Sequence, residues 1–233
     1  MKILFRISLV ILLLYVPASV CGQSLNTISD KAYGLDPLLY NGILYTYLLP
    51  PGTSGTPFFN GPDFVKGFVT LRGLTYDDLW LKYDVFNQQL ILQYKTSTGA
   101  DNQIIISDAW LEKFNLGNTH FELLAIQDTL KRIYQVMGTS RYHIIYFWSK
   151  EEALDSRTGA TNRVFTLPKK ESYLLTGMKM YRYVNNRSFI ALFDPAKRAM
   201  LKKHLRQQKI NVKKASDLAI TELINYCNTL SLK

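Results

Sequence analysis

The chain has 233 residues, of which 47% are hydrophobic and 20% charged, and this composition excludes a globally disordered protein. Aromatic residues make up 13%, with 15 tyrosines and 12 phenylalanines, which favours strands over helices. The formal net charge of +10 is concentrated near the end, because residues 197–233 hold nine lysines and arginines against two acidic residues. The basic character therefore belongs to a C-terminal segment rather than to the whole fold.

Residues 1–22 have the pattern of a secretory signal peptide. Lys2 and Arg6 provide its charged start, and the apolar run 7–16 is followed by small residues up to position 22. This run is too short to cross a bilayer, which needs roughly 20 apolar residues. We therefore expect an exported protein with no transmembrane segment in its mature chain.

Two outcomes of export are open. Val20 and Gly22 are the small residues that cleavage requires at positions −3 and −1, and they predict a soluble periplasmic chain that starts at Gln23. The alternative is a lipoprotein anchored through Cys21. With soluble release the mature chain holds one cysteine, Cys227, so the fold must depend on its hydrophobic core.

Residues 23–63 form a loop-rich N-terminal segment. Within it, residues 50–57 contain three prolines and two glycines, which is the composition of a loop. The apolar stretch 38–49 is either a strand or a segment packed against the core.

Residues 64–193 predict an antiparallel β domain. Apolar and aromatic runs alternate with turn signals such as Arg72-Gly73 and Asn87-Gln88, and short turns join antiparallel neighbours in a meander. The predicted strands are 65–71, 79–86, 89–94, 103–107, 119–125, 133–138, 142–148, 163–167, 172–175 and 179–184. The expected fold is mainly β: a curved antiparallel meander, as an open or partly closed barrel, with a C-terminal α-helical pair.

Two of these strands predict where the core lies. In 79–86, leucine, tyrosine and valine share one face, whereas Trp80, Lys82 and Asp84 share the other, which indicates a strand with one buried side. The run 142–148 is apolar on both faces apart from one histidine. It predicts a central strand that is covered on both sides.

Residues 194–233 predict a basic helical pair packed on the β domain. Asp194 and Pro195 are typical of a helix N-cap and first position, and the first helix is expected over 194–208. Its apolar side consists of Phe193, Met200, Leu201 and Leu205, and its opposite side of Arg198, Lys202, Lys203, Arg206 and Lys209. A second helix starts at Ser216, and Cys227 lies on its apolar stripe, where we expect a buried, inert thiol.

Several segments carry a family resemblance. They are LKYDVF at 81–86, LIL at 90–92, YHIIY at 142–146, ESYLL at 171–175 and the basic helical pair at 202–226. These segments resemble a family of uncharacterised exported β-rich proteins from Bacteroidota, over residues 64–230. The resemblance implies export and strands followed by helices. It implies no activity, because none is established for the family.

The search for catalytic chemistry yields two weak candidates. His120 and Glu122 share a strand face and His143 could complete a metal site, but no fourth ligand is evident, so surface or core histidines are the better interpretation. Adjacent residues of a strand point apart, so Asp77-Asp78 predicts a hairpin turn rather than paired acids. We expect no catalytic residue, no metal site and no cofactor.

Two surfaces are candidates for binding. Trp80 lies on the polar face of its strand and could stack on a sugar, the alternative being ordinary packing against the helices. The basic helix face, Arg198, Lys202, Lys203, Arg206 and Lys209, could contact anionic lipid headgroups or acidic polymers, the alternative being a solvated face.

These observations favour an exported, non-catalytic protein that binds or scaffolds an envelope partner, whether a protein, a lipid or a polymer. One alternative is a carrier that encloses a lipid or other apolar ligand inside the curved sheet. Another is a carbohydrate-binding protein or an enzyme of unrecognised type. Export disfavours nucleic acid as a partner despite the positive charge. The sequence leaves the oligomeric state open.

Overall fold

The computed structural model describes residues 35–46, 49, 51–127, 130–155 and 162–230. The predicted signal peptide, the cleavage site before Gln23 and Cys21 lie outside these residues. Within the described residues the protein is mainly β, as predicted, with an 11-stranded antiparallel sheet and helices near the C-terminus.

Most strands precede the helices along the chain. The strands are β1 Ile43–Leu44, β2 Val65–Leu71, β3 Leu74–Asp84, β4 Gln89–Lys95, β5 Asp101–Ile105, β6 Leu111–Leu116, β7 Thr119–Leu124, β8 Arg132–Met137, β9 Tyr142–Ser149, β10 Glu152–Asp155, β11 Asn162–Phe165, β12 Lys169–Thr176 and β13 Lys179–Tyr183. The helices are α1 Pro37–Tyr40, α2 Asn186–Ala191, α3 Pro195–Gln207 and α4 Asp217–Thr229.

The large sheet has the strand order β1-β5-β4-β3-β2-β6-β7-β8-β9-β12-β13. Strands β2 to β5 form one meander, and the chain then returns so that β6 pairs with β2. A second meander extends from there through β9 to β12 and β13, while β10 and β11 form a separate hairpin. Because β1 pairs only with β5 and β13 only with β12, the sheet is open rather than closed.

The sheet curls around a first core on one side of β2 to β7. Strands β3 and β7 are separated by β2 and β6, so a flat sheet would place them about 14 Å apart. The ring of Tyr83 on β3 nevertheless lies 5.4 Å from that of Phe121 on β7, and Phe121 stacks on Phe114 at 4.9 Å. Leu39 of α1 and Phe59 pack on the same cluster. Packed aromatic rings therefore lie on the enclosed side.

A second core lies between the helices and strands β8, β9, β12 and β13. Leu201 of α3 and Ile224 of α4 are fully buried in it. Ile144 and Tyr146 of β9 face this core, whereas Ile145 belongs to a third cluster on the opposite side, and all three are 0% exposed. The prediction of a central strand covered on both sides is confirmed.

The helical pair forms as predicted, with one correction. Phe193, Leu201 and Leu205 are buried, but Met200 is 47% exposed, so its assignment to the docking side is wrong. Asp194 takes the N-cap position of α3 without making a side-chain capping bond. Cys227 is 1% exposed, as expected, and burial raises the pKa of its thiol to about 12.

One of two neighbouring turn predictions needs correction. Arg72 and Gly73 make a turn as predicted, with φ of +47° and +80°, but the turn predicted at Asp77-Asp78 is wrong, because both residues lie inside β3. The register of β2 against β3 shifts after Gly67, and Asp78, with φ of +58°, lies opposite this shift. A bulge in a long strand therefore accommodates the two aspartates.

Some short elements lack a sequence signal that would predict them. β6 alternates buried Leu111, Phe114 and Leu116 with polar residues that interrupt any apolar run. α2 has six residues, too few to show a helical period, although Asn185 and Ser188 cap it reciprocally. The apolar stretch 38–49 contributes both α1 and β1.

Asp84 departs most from its predicted environment. The alternation along its strand predicts it on the polar face, but it is 0% exposed. Its Oδ1 accepts from the backbone N–H groups of Phe86 and Asn87 at 3.0 and 2.9 Å, and its Oδ2 from the Asn87 amide at 2.8 Å and the Tyr45 hydroxyl at 3.2 Å. The carboxylate is buried because four donors replace water. It joins the β3–β4 turn to the N-terminal segment.

We expect Asp84→Ala to lower the free energy of unfolding by about 3 kcal/mol or more, because it leaves several buried donors without an acceptor. The control is Asp101→Ala, which removes an exposed ion pair with Lys95 and should cost less than about 1 kcal/mol. Urea denaturation of both variants measures the difference. Equal losses would contradict the structural role of Asp84.

Candidate functional site

A groove of about 760 Å³ lies on the outer face of strands β3 to β5. The side chains of its floor point to the opposite face of each strand from their neighbours Leu81, Leu92 and Ile104, which are buried in the first core. It is lined by Trp80, Lys82, Gln93, Tyr94, Lys95, Asp101, Gln103 and the segment 62–64. We call this feature the Trp80 groove.

Strand register sets the floor of the Trp80 groove. Trp80 of β3 is directly opposite Gln93 of β4, and Gln93 is directly opposite Gln103 of β5. Neighbouring strands are about 4.8 Å apart, so these side chains form a row about 10 Å long. Across the three strands, the ring of Trp80 is thus followed by the amides of Gln93 and Gln103 on the surface of the sheet.

Trp80 is held in a defined orientation. The Lys66 ammonium lies 4.6 Å from the indole centroid, and Lys66 in turn pairs with the Asp78 carboxylate at 2.8 Å. Lys66 also donates to the Asp78 carbonyl at 2.8 Å. Trp80 still exposes 47% of its surface. The ring is fixed on one side and available to a ligand on its remaining surface.

Lys82 fixes one wall of the groove. Its ammonium donates to the Pro62 carbonyl at 2.6 Å and lies 4.2 and 4.0 Å from the ring centroids of Phe58 and Phe64. Burial lowers the pKa of Lys82, and the charge of Asp63 opposes this effect. The loop-rich segment predicted from composition is therefore anchored to the sheet where the groove begins.

The amides of the row are available for binding. Neither the Gln93 nor the Gln103 side chain has a hydrogen-bond partner among the described residues, and both are half-buried. A primary amide offers two donors and one acceptor oxygen. Beyond the row, Lys95 and Asp101 form an exposed ion pair at 2.9 Å. The groove thus combines an aromatic surface, neutral amides and balanced charge.

The sequence singled out Trp80 but missed Gln93 and Gln103. Both occupy polar positions of their strands, so neither differs locally from a solvated glutamine. The Asn87-Gln88 turn signal would not have found the pair, because a two-residue turn there places residue 80 opposite residue 95. The loop instead spans residues 85–88, which pairs Asp84 with Gln89 and Trp80 with Gln93.

The basic helix face divides into two parts. Arg198 is predicted to be available for anionic contacts, but its guanidinium donates to the carbonyls of Phe193 at 2.8 Å and Ala191 at 3.0 Å. It therefore satisfies carbonyls at the C-terminal end of α2. Lys202, Lys203, Arg206 and Lys209 are exposed, and Lys202 and Arg206 line a second groove between α2 and α3.

His120 is engaged within the sheet. The His120 ring hydrogen-bonds to Asn115 through Nδ1 at 2.7 Å and to Glu122 through Nε2 at 2.9 Å. This bond, more than the charge of His120, holds the pKa of Glu122 below its usual value. No group of three His, Cys, Asp or Glu side chains that could hold a metal ion occurs in the described part of the chain.

Comparisons with known proteins give no family assignment: the chain matches no protein-family model, no curated protein and no solved structure. Across the described ranges, none of the helices has the length and apolar character needed to cross a membrane. The function must therefore be argued from the grooves themselves.

We expect Arg198→Gln to lower the free energy of unfolding by about 1–2 kcal/mol, because it removes two hydrogen bonds to helix-end carbonyls. Lys203→Gln is the control on the same helix, and it should change stability by less than about 0.5 kcal/mol. Thermal and urea unfolding provide the measurement. If the two variants were equally stable, Arg198 would be an ordinary surface residue.

Proposed function

We propose that the protein is an exported, non-catalytic binding protein of the cell envelope whose Trp80 groove takes a carbohydrate. The single observation that carries this proposal is the half-exposed Trp80 at the head of a cross-strand row with Gln93 and Gln103. A glycan polymer of the envelope would provide the extended ligand that an open groove fits.

The chemistry of the row supports a sugar. The apolar face of a sugar ring packs on an aromatic surface, and the indole offers the largest such surface among the side chains. Sugar hydroxyls both donate and accept, and the amides of Gln93 and Gln103 can do both in return. Because Trp80 and the strands are already ordered, little conformational entropy is lost on binding.

The balance of charge favours a largely neutral ligand. The lysines and aspartates of the groove alternate, as in the Lys95–Asp101 pair, so they create no strong field of one sign. The alternative of a carrier gains no support from the first core. Its enclosed side holds stacked rings such as Phe114 and Phe121, where a carried ligand would need open volume.

Export to the periplasm is part of this proposal. It is supported by the sequence pattern of residues 1–22 and by the resemblance to exported proteins of Bacteroidota, both of which stay predictions. Soluble release before Gln23 is the favoured form, and anchoring through Cys21 is the alternative. Both the soluble periplasmic form and the lipid-anchored form would meet the glycans of the envelope.

Binding is tested with a printed glycan array and by sedimentation with peptidoglycan sacculi. We expect saturable binding to a glycan, and we expect Trp80→Ala to weaken it about tenfold or more by removing the aromatic surface. Gln93→Ala should weaken binding by a smaller factor, since one hydrogen-bonding group is lost.

The matched control is Tyr181→Ala on β13, which removes another exposed aromatic residue far from the groove in the strand order. It should bind as the wild type does. Failure of the wild-type protein to bind any glycan, or equal weakening by Trp80→Ala and Tyr181→Ala, would reject the carbohydrate site.

Export is tested by the intact mass of the protein recovered from the envelope of its host. We expect the mass of a chain that starts at Gln23, because Val20 and Gly22 fit the cleavage rule. A mass that fits a diacylated chain starting at Cys21 would instead establish the lipid-anchored form.

A further inference from the structure

A second groove lies between α2 and α3 and has a volume of about 460 Å³. Its apolar floor is formed by Ile190 of α2 and Leu205 of α3, which both pack against the second core. Its rim carries the exposed side chains of Arg187, Lys202 and Arg206. We call this groove the α2–α3 slot.

The floor of the slot offers a ligand almost no hydrogen bonds. Among the described residues, Asn186 is the one uncharged polar residue that lines it. Its amide nitrogen donates to the Ile210 carbonyl at 2.7 Å, and its oxygen accepts from the Val212 N–H at 2.9 Å. A peptide backbone placed in the slot would leave polar groups unsatisfied, which is costly. A hydrocarbon chain has no such groups.

The rim has charge of one sign only. No acidic residue of the described ranges lines the slot, and α3 contains none along its whole length. Arg187, Lys202 and Arg206 form no ion pair with another described residue. Guanidinium groups bind phosphate oxygens through paired hydrogen bonds, and lysine adds a point charge. The rim is therefore complementary to an oxyanion.

An apolar floor beneath a cationic rim is the chemical complement of an anionic amphiphile. We propose that the α2–α3 slot binds an anionic phospholipid, with an acyl chain on Ile190 and Leu205 and the phosphate held by Arg187, Lys202 and Arg206. This use of the basic helix goes beyond the proposed glycan binding and involves none of the residues of the Trp80 groove. Either can fail without the other.

The test is sedimentation with vesicles of phosphatidylglycerol mixed with phosphatidylcholine, beside vesicles of phosphatidylcholine alone. The slot variant carries Arg187→Gln, Lys202→Gln and Arg206→Gln. The matched variant carries Lys203→Gln, Lys209→Gln and Lys214→Gln, which remove the same charge from exposed residues that do not line the slot. Unfolding curves of both variants confirm that the fold is intact.

Wild-type protein should bind the anionic vesicles and not the neutral ones. The slot variant should bind roughly a hundredfold more weakly, since the proposal places its three cations at the anionic headgroup, where each contributes roughly a fivefold factor in affinity, and places the matched cations away from it. The matched variant should lose much less. Equal losses in the two variants would show diffuse attraction to net charge, and absent wild-type binding would also overturn the proposal.

A competition experiment distinguishes binding of the whole lipid from binding of its headgroup alone. Soluble short-chain phosphatidylglycerol should compete with the vesicles, whereas glycerol phosphate, which has the same anionic group without acyl chains, should compete only weakly. If glycerol phosphate competed equally well, the slot would be an anion site with no role for its apolar floor. That result would overturn the assignment to a lipid.

Discussion

The hydrogen bonds of the buried Asp84 carboxylate are the interaction on which the surroundings of the Trp80 groove depend. It ends β3, accepts four hydrogen bonds and joins the β3–β4 turn to Tyr45 of the N-terminal segment. A nearby lysine completes the anchor, because the Lys150 ammonium donates to the carbonyls of Thr56 and Phe58 at 2.7 Å each. The loop-rich segment, which has little regular structure of its own, is thereby held against the protein, and Lys82 fixes its residues 62–64 as a wall of the Trp80 groove through the Pro62 carbonyl.

The two proposed sites lie on different elements of the fold. The Trp80 groove lies on β3 to β5, outside the curl that encloses the first core, whereas the α2–α3 slot belongs to helices packed on β8, β9, β12 and β13. Strand β9, buried on both faces, lies within the rigid frame behind the helices. Under the two proposals together, the protein binds a glycan at one surface and a lipid at another.

The period of the apolar residues predicted those features of the fold that depend on local sequence. The alternation in β3 placed Leu81 and Trp80 on opposite faces, and the helical period placed Leu201 and Leu205 in the core. The burial of Asp84 was missed because the alternation of its strand gives no sign of the donors at Phe86 and Asn87 or of Tyr45, which is distant in sequence. The partners of Trp80 depend on register, and the slot depends on α2, a helix too short to be periodic. Each miss involves a contact that tertiary structure creates.

The central claim is that Trp80 contacts a carbohydrate, and the indole N–H signals of the native protein test it directly. The chain has three tryptophans, so a ¹H–¹⁵N correlation spectrum contains three indole cross-peaks, and a Trp80→Phe variant identifies one of them. Titration with a soluble oligosaccharide from the glycan array should shift the Trp80 peak with saturation and leave those of Trp110 and Trp148 in place. Saturable binding with an unmoved Trp80 peak would contradict the account.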